Sequence, residues 1–157
     1  MNLFSDNHQE LLSHLLDQQV DFIIVGGYSV IFHGYARTTG DVDIWLNPTN
    51  ENKEKFLAVL EAMDFFEADI QSVADLDFTS TLVFAMGEEP EKAEFLTRIN
   101  LINFEEANKR KIIAEIDGLK IPFLHLDDLV LSKFNTSRLK DQADIEELQR
   151  IQNNRKS

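Results

Sequence analysis

The sequence contains no cysteine, which excludes disulfides, a thiolate nucleophile and cysteine-ligated zinc or iron-sulfur centres. It has no apolar run approaching the roughly 18 residues that a membrane-spanning helix needs. Its first residues, Met1-Asn2-Leu3-Phe4-Ser5-Asp6, are not a basic segment leading into an apolar one. A cytoplasmic protein without membrane association is expected. Positive charge is scarce, with 15 Lys and Arg against 28 Asp and Glu, so the formal net charge is −13. A surface of that sign repels a phosphodiester backbone, which disfavours autonomous binding to long DNA or RNA. A small anionic nucleotide is not excluded, because a divalent cation held by carboxylates reverses the local sign.

Internal repeats, low-complexity tracts and linkers are also missing. At 157 residues and 43% hydrophobic content, the chain is long enough for one substantial core and too short for two ordinary domains. A single domain spanning 1–157 is expected, with a tail at 152–157 that frays. Asp6-Asn7-His8-Gln9 reads as a capping box opening a helix that carries Leu11, Leu12, Leu15 and Leu16 and ends near Gln19. Phe22-Ile23-Ile24-Val25 is a short buried strand running into Gly26-Gly27. A helix follows over 29–35, with Thr38 and Thr39 in the loop beyond it. Residues 41–46 alternate, placing Asp41, Asp43 and Trp45 on one face and Val42, Ile44 and Leu46 on the other.

Asn50 is the predicted N-cap of a helix over 51–63. Residues 64–77 carry no clear pattern. Strands are predicted over 79–86 and 93–99 as antiparallel neighbours, a short helix over 104–110, and a hairpin of 111–116 and 119–122 turning at Asp117-Gly118. The remainder is helical from His125, with a break at 135–137. The fold class is therefore α+β, a mixed sheet flanked by helices with further helices at the C-terminus.

Two acidic side chains at i and i+2 on a strand project from the same face, close enough to hold one divalent cation or two neighbouring ones. Asp41 and Asp43 have that spacing. An isolated Asp-x-Asp is commonly just a solvated strand end. Here it follows an apolar strand, two glycines that let backbone amides approach a phosphate, and the hydroxyl of Ser29. Anion-binding donors and cation-binding carboxylates then face each other.

Gly26-Gly27, the spacer 28–40 and Asp41-Val42-Asp43 resemble the signature of the nucleotidyltransferase superfamily that includes DNA polymerase beta. Val25-Gly26-Gly27-Tyr28-Ser29, His33-Gly34-Tyr35-Ala36-Arg37 and Thr39-Gly40-Asp41-Val42-Asp43-Ile44-Trp45 are similar to a small bacterial branch of it, which includes minimal nucleotidyltransferases and nucleotidyltransferase-like toxins of toxin-antitoxin systems. Phe104-Glu105-Glu106-Ala107, Asp117-Gly118-Leu119-Lys120-Ile121-Pro122 and Lys140-Asp141-Gln142-Ala143-Asp144 carry the resemblance through most of the chain.

The resemblance implies a nucleotidyltransferase fold and transfer of a nucleoside monophosphate from a nucleoside triphosphate to an acceptor, with pyrophosphate released. Magnesium is the implied cofactor, with manganese as a substitute. On this reading Gly26, Gly27 and Ser29 hold triphosphate oxygens, and Asp41 and Asp43 hold the metal. The third carboxylate falls on Glu94, in Lys92-Ala93-Glu94-Phe95-Leu96-Thr97, where close relatives look like Arg-Ile-Asp-Phe-Leu-Thr. Glutamate is longer by one carbon-carbon bond, about 1.5 Å, so the alternative for Glu94 is an exposed strand residue.

Arg37 either grips phosphate or neutralises Asp41 and Asp43. Lys133 is the phosphate candidate among Lys133, Arg138 and Lys140, while Lys140 has the spacing to pair with Asp144 instead. His33 reads as packing, and His14 and His125 as carrying no chemistry. The competing function is a non-catalytic nucleotide-binding or partner-binding module. Membership of a toxin-antitoxin pair fits either reading. A protein partner or a homodimer is expected to complete the acceptor site.

Overall fold

The computed structural model describes residues 3–37 and 39–156, so Thr38, the predicted loop residue, and Ser157, in the predicted tail, lie outside the described residues. Helix α1 (Asp6–Asp17) is capped by Ser5, whose hydroxyl accepts from the His8 amide at 3.2 Å, so the cap lies one residue before the predicted box. Strand β1 (Phe22–Val25) leads directly into α2 (Gly26–Phe32), so the two glycines open the helix and do not form a separate turn before it. Strand β2 (Val42–Leu46) and α3 (Asn50–Ala62) follow. Thr49, not Asn50, caps α3. The Asn50 carboxamide instead accepts from the Phe78 amide and donates to Asp77, tying the helix start to a distant turn.

The unpatterned stretch contains a helix that the sequence did not reveal, α4 (Glu67–Ala74). None of its residues is fully buried, and Lys53 Nζ closes its end by donating at 2.9 Å to the carbonyls of Ala74 and Leu76. Strands β3 (Val83–Met86) and β4 (Ala93–Leu96) are shorter than expected, but they do pair antiparallel. Helix α5 (Phe104–Arg110) and the hairpin of β5 (Ile112–Ile116) and β6 (Leu119–Phe123) lie as read. Asp117 and Gly118 take φ of 54° and 81°, the left-handed values that a two-residue hairpin turn requires.

Helix α6 (Leu126–Ser132) and α7 (Leu139–Lys156) flank the predicted break. Helix α7 continues to Lys156 because Arg155 donates to the His33 carbonyl at 3.1 Å and reaches the His33 ring.

The strands form one six-stranded sheet in the order β3-β4-β2-β1-β6-β5. Strand β2 runs antiparallel to β1 and parallel to β4, and β1 runs parallel to β6. Period-two alternation divides the core between the two faces. Ile24, Ile44, Leu46 and Phe95 pack with Leu12 and Leu15 of α1 and Phe56 of α3. Ile23, Val25 and Trp45 pack with Phe104, Leu129 and Leu148 on the opposite side. Asp43 shares the Trp45 face, as the alternation predicted. It therefore projects toward the side where α7 lies. Among the described residues, no helix is long and apolar enough to cross a membrane.

Candidate active site

The sheet positions the acidic residues through its register. Asp43 is paired with Val25 on one neighbouring strand and with Glu94 on the other, so the end of β1 and two carboxylates meet at one edge. Because β2 and β4 are parallel and in register, Asp43 and Glu94 point from the same face and share a side-chain hydrogen bond. Burial, the Glu94 charge, that bond and the Asp41 charge push the Asp43 carboxyl up to about 6, and Lys140 opposes the shift. This places Glu94, a residue with an alternative role as mere strand surface, beside Asp43 in the cleft.

Asp41 lies one pleat away. Its Oδ2 is 3.7 Å from Lys92 Nζ, and its Oδ1 is buried with no hydrogen-bond partner among the described residues. A cavity of about 370 Å³ opens over this edge, lined by Gly27, Asp41, Asp43, Glu94, Arg138 and Lys140, with Thr39, Gly40 and Glu89 completing the wall. The donor chemistry suits a hard divalent cation: three carboxylates, one with an orphaned buried oxygen and one whose carboxyl is pushed up by burial and by its acidic neighbours. Among the described residues, no three acidic or imidazole groups converge tightly enough to hold an ion as they stand.

The glycines have separable roles. Gly26 has φ of +66°, and a Cβ there would lie 2.8 Å from Asp43 Cγ, so a side chain is excluded both by backbone conformation and by the carboxylate. A Cβ on Gly27 would meet Thr39 Oγ1 at 2.5 Å, and Gly27 lines the cleft.

Ser29 is the first correction. It is fully buried, and its hydroxyl donates to the Gly26 carbonyl at 2.8 Å, so it braces the glycine turn from behind and does not face the cavity. Lys133 is the second. It lies largely buried between Asp141 at 3.3 Å and Asp144 at 3.0 Å, pinning α6 to α7 outside the cleft. Arg37 pairs with Asp144 at 3.4 Å rather than with Asp41 or Asp43, and its guanidinium lies just behind Gly27.

The cationic wall of the cleft is made instead by Arg138 and Lys140, where the break between α6 and α7 meets the sheet edge. Residue type had marked both as candidates, but only the docking of α7 selects them over Lys133. Lys140 does not make the expected pair with Asp144, which is taken by Lys133 and Arg37. His33 packs as expected, its Nε2 donating to the Leu124 carbonyl at 2.6 Å. His125 caps α6.

The profile of a family described as nucleotidyltransferase of unknown function, DUF6036, matches residues 2–153. The chain belongs to this nucleotidyltransferase family. No curated protein matches it in sequence. Among solved structures, the lincosamide antibiotic adenylyltransferase LnuA, with lincomycin bound, superposes at a TM-score of 0.55 with 18% identity, covering 94% of this chain and 98% of that one. TM1012 of Thermotoga maritima, a candidate nucleotidyltransferase, gives a TM-score of 0.55 with 16% identity over 96% and 89% of the two chains. The antibiotic-resistance factor ANT(2'')-Ia gives 0.55 with 13% identity over 94% and 83%. At these identities the likeness concerns the fold, a mixed sheet flanked by helices, and this nucleotidyltransferase-family chain shares it.

Proposed function

We propose that this protein transfers a nucleoside monophosphate from a nucleoside triphosphate to a hydroxyl group of an acceptor, with magnesium, or manganese in its place, bound by Asp41, Asp43 and Glu94. The observation that carries this reading is the in-register Asp43-Glu94 pair at the edge of a cleft whose other walls are Gly27 and the cations Arg138 and Lys140. Carboxylates and cations on opposing walls suit a cation-bound triphosphate.

The bound metal would supply charge neutralisation at the attacking and leaving oxygens. Gly27 leaves room for phosphate oxygens, while Arg138 and Lys140 attract and orient the triphosphate from the α7 side. Glu94, held beside the acceptor edge by its bond to Asp43, is the group positioned to take the acceptor's hydroxyl proton. Gly26 keeps Asp43 close to the glycine turn, and Ser29 and Arg37 support that turn from behind.

Thermal stabilisation by a nonhydrolysable triphosphate tests the reading. It should appear only with magnesium or manganese and vanish in Asp41→Asn and Asp43→Asn. Stabilisation that is indifferent to metal, or retained in both variants, would remove the roles given to these residues. The fold neighbours supply the first acceptors to try, since LnuA is seen with lincomycin and ANT(2'')-Ia with adenylyl-2''-tobramycin.

A second reading, a non-catalytic nucleotide-binding or partner-binding module, is favoured by one observation, the hold of Lys92 on Asp41. Pyrophosphate release separates the two, because a module binds triphosphate and metal without turnover. A place in a toxin-antitoxin pair is compatible with either.

A further inference from the structure

We propose that Asp144 is a positioning residue for nucleotidyl transfer: through Arg37 it ties the first turns of α7 to the glycine turn, and so holds Lys140 at the cleft wall where it meets the triphosphate. This deepens the transfer reading above and rests on it.

The start of α7 has no apolar anchor. From Leu139 to Asp144 the buried residues are Asp141 and Asp144, while Leu139 is 80% exposed and Lys140, Gln142 and Ala143 are exposed as well. The first fully buried apolar residue of the helix is Leu148, about one turn beyond Asp144. Helix α7 is thus held at its middle by apolar packing and at its start by charge. A buried carboxylate is costly unless it is paired, and Asp144 is only 1% exposed. Its Oδ2 meets Arg37 at 3.4 Å and Lys133 at 3.0 Å.

The partners of the two buried aspartates lead to different places. Asp141 is met by Lys133, Thr136 and Arg138, all in the segment just before it, so its bonds shape the α6-α7 junction itself. Asp144 also reaches Arg37, far away in the chain. The Arg37 Nη2 lies 3.4 Å from where a Cβ on Gly27 would stand, and Gly27 lines the cleft. One guanidinium therefore spans from α7 to the backbone that leaves room for phosphate oxygens.

Lys140 precedes Asp144 by four residues, on the same side of the helix and one turn nearer its start. With Asp144 fixed behind Gly27, Lys140 is carried to the cleft wall, where its charge reaches Asp43. Apolar side chains of similar volume would hold a helix about as firmly as buried charges do. The tie to Arg37 adds a fixed distance between Lys140 and the glycine turn, and a shift of about 1 Å in such a group can cost about a hundredfold in rate.

A double-mutant cycle on the full chain tests the role. It reads affinity for a nonhydrolysable triphosphate with magnesium, at a temperature where the melting curve of each variant shows it folded. Asp144→Asn keeps the shape of the side chain and removes its charge. It should weaken binding severalfold in the wild-type background, as Lys140→Met does, and add little to Lys140→Met. A residue that merely supports the fold would lower affinity by the same factor in both backgrounds. Arg37→Gln breaks the tie from the glycine side and should give the same pattern, which decides the matter if Asp144→Asn does not fold. Equal losses in the two backgrounds, or no loss on breaking the tie, overturn the role of Asp144 and leave the transfer reading standing. A wild type that binds no triphosphate removes the transfer reading and the role of Asp144 with it.

Discussion

Asp43 and Glu94 illustrate how a single methylene is accommodated. Glutamate at 94 extends the carboxylate relative to the aspartate that the resemblance leads one to expect, yet the register of β2 against β4 brings it into hydrogen-bond contact with Asp43. The longer side chain is thus compatible with a third carboxylate. Glu94→Gln removes the neighbouring charge and substitutes an amide able to donate to Asp43. Both changes favour the Asp43 carboxylate, so its pKa should fall from about 6 toward the ordinary aspartate range, as followed by NMR titration of the carboxyl carbon. Transfer in the same variant should fall by at least about a hundredfold, the scale of losing a positioned acid-base group. An unmoved Asp43 titration would show that Glu94 is not its partner in solution.

At the level of elements, the junction of β1 and α2 and the junction of α6 and α7 form the two sides of the cleft. Gly26→Ala would force a side chain onto a backbone at φ +66° and against Asp43. It should cost about 1–3 kcal/mol of stability in urea unfolding and weaken metal-dependent triphosphate binding with it. The α6-α7 junction separates a buried, paired lysine, Lys133, from Lys140, which lines the cleft. Lys133→Met takes the ammonium from Asp141 and Asp144, both nearly buried, while Arg37 still pairs with Asp144 and Thr136 and Arg138 with Asp141, and should cost about 1–3 kcal/mol. Lys140→Met should leave the melting temperature nearly unchanged while weakening triphosphate binding severalfold. Reversed behaviour of the two variants would restore Lys133 as the phosphate residue.

For the whole molecule, pH acts through groups that oppose one another. His33 is buried, and burial pushes its imidazole below the ordinary value, with Arg155 and His125 adding to the shift against the Leu124 bond. A histidine held neutral contributes stability that is present above its unfolded pKa of about 6.5 and lost as pH falls below that value. Asp43 has the contrary sign. With a folded pKa raised to about 6, the metal-free protein binds the extra proton and loses stability as pH rises from about 4 to about 6. Urea titrations of the metal-free chain across pH 4–7 should therefore show His33→Asn flattening the loss on acidification, and Asp43→Asn removing the loss on going from pH 4 to 6. Identical pH profiles for all three proteins would mean that neither group is shifted.

The family and the alternation on β2 were legible in the sequence because each depends on neighbours close along the chain. The apolar run before Gly26-Gly27 marks a buried strand and Asp41-x-Asp43 an acidic edge whatever packs around them, and the hairpin at Asp117-Gly118 needs only its own two residues. Helix α4 was not legible, since no face of it is fully buried and its end is closed by Lys53 from another helix. Nor was the choice among cations. Lys133, Arg138 and Lys140 are equivalent candidates by type, and only the packing of α7 against α6 commits the first to Asp141 and Asp144 and leaves the others in the cleft. Ser29 was misplaced for the same reason, because on a helix the direction of a side chain follows from the turn on which the helix starts. Sequence determined which chemical groups the protein carries and the strand and turn that present the first of them. Tertiary structure decided which groups share one solvent cavity, because that depends on contacts between segments as far apart as Gly27, Glu94 and Lys140.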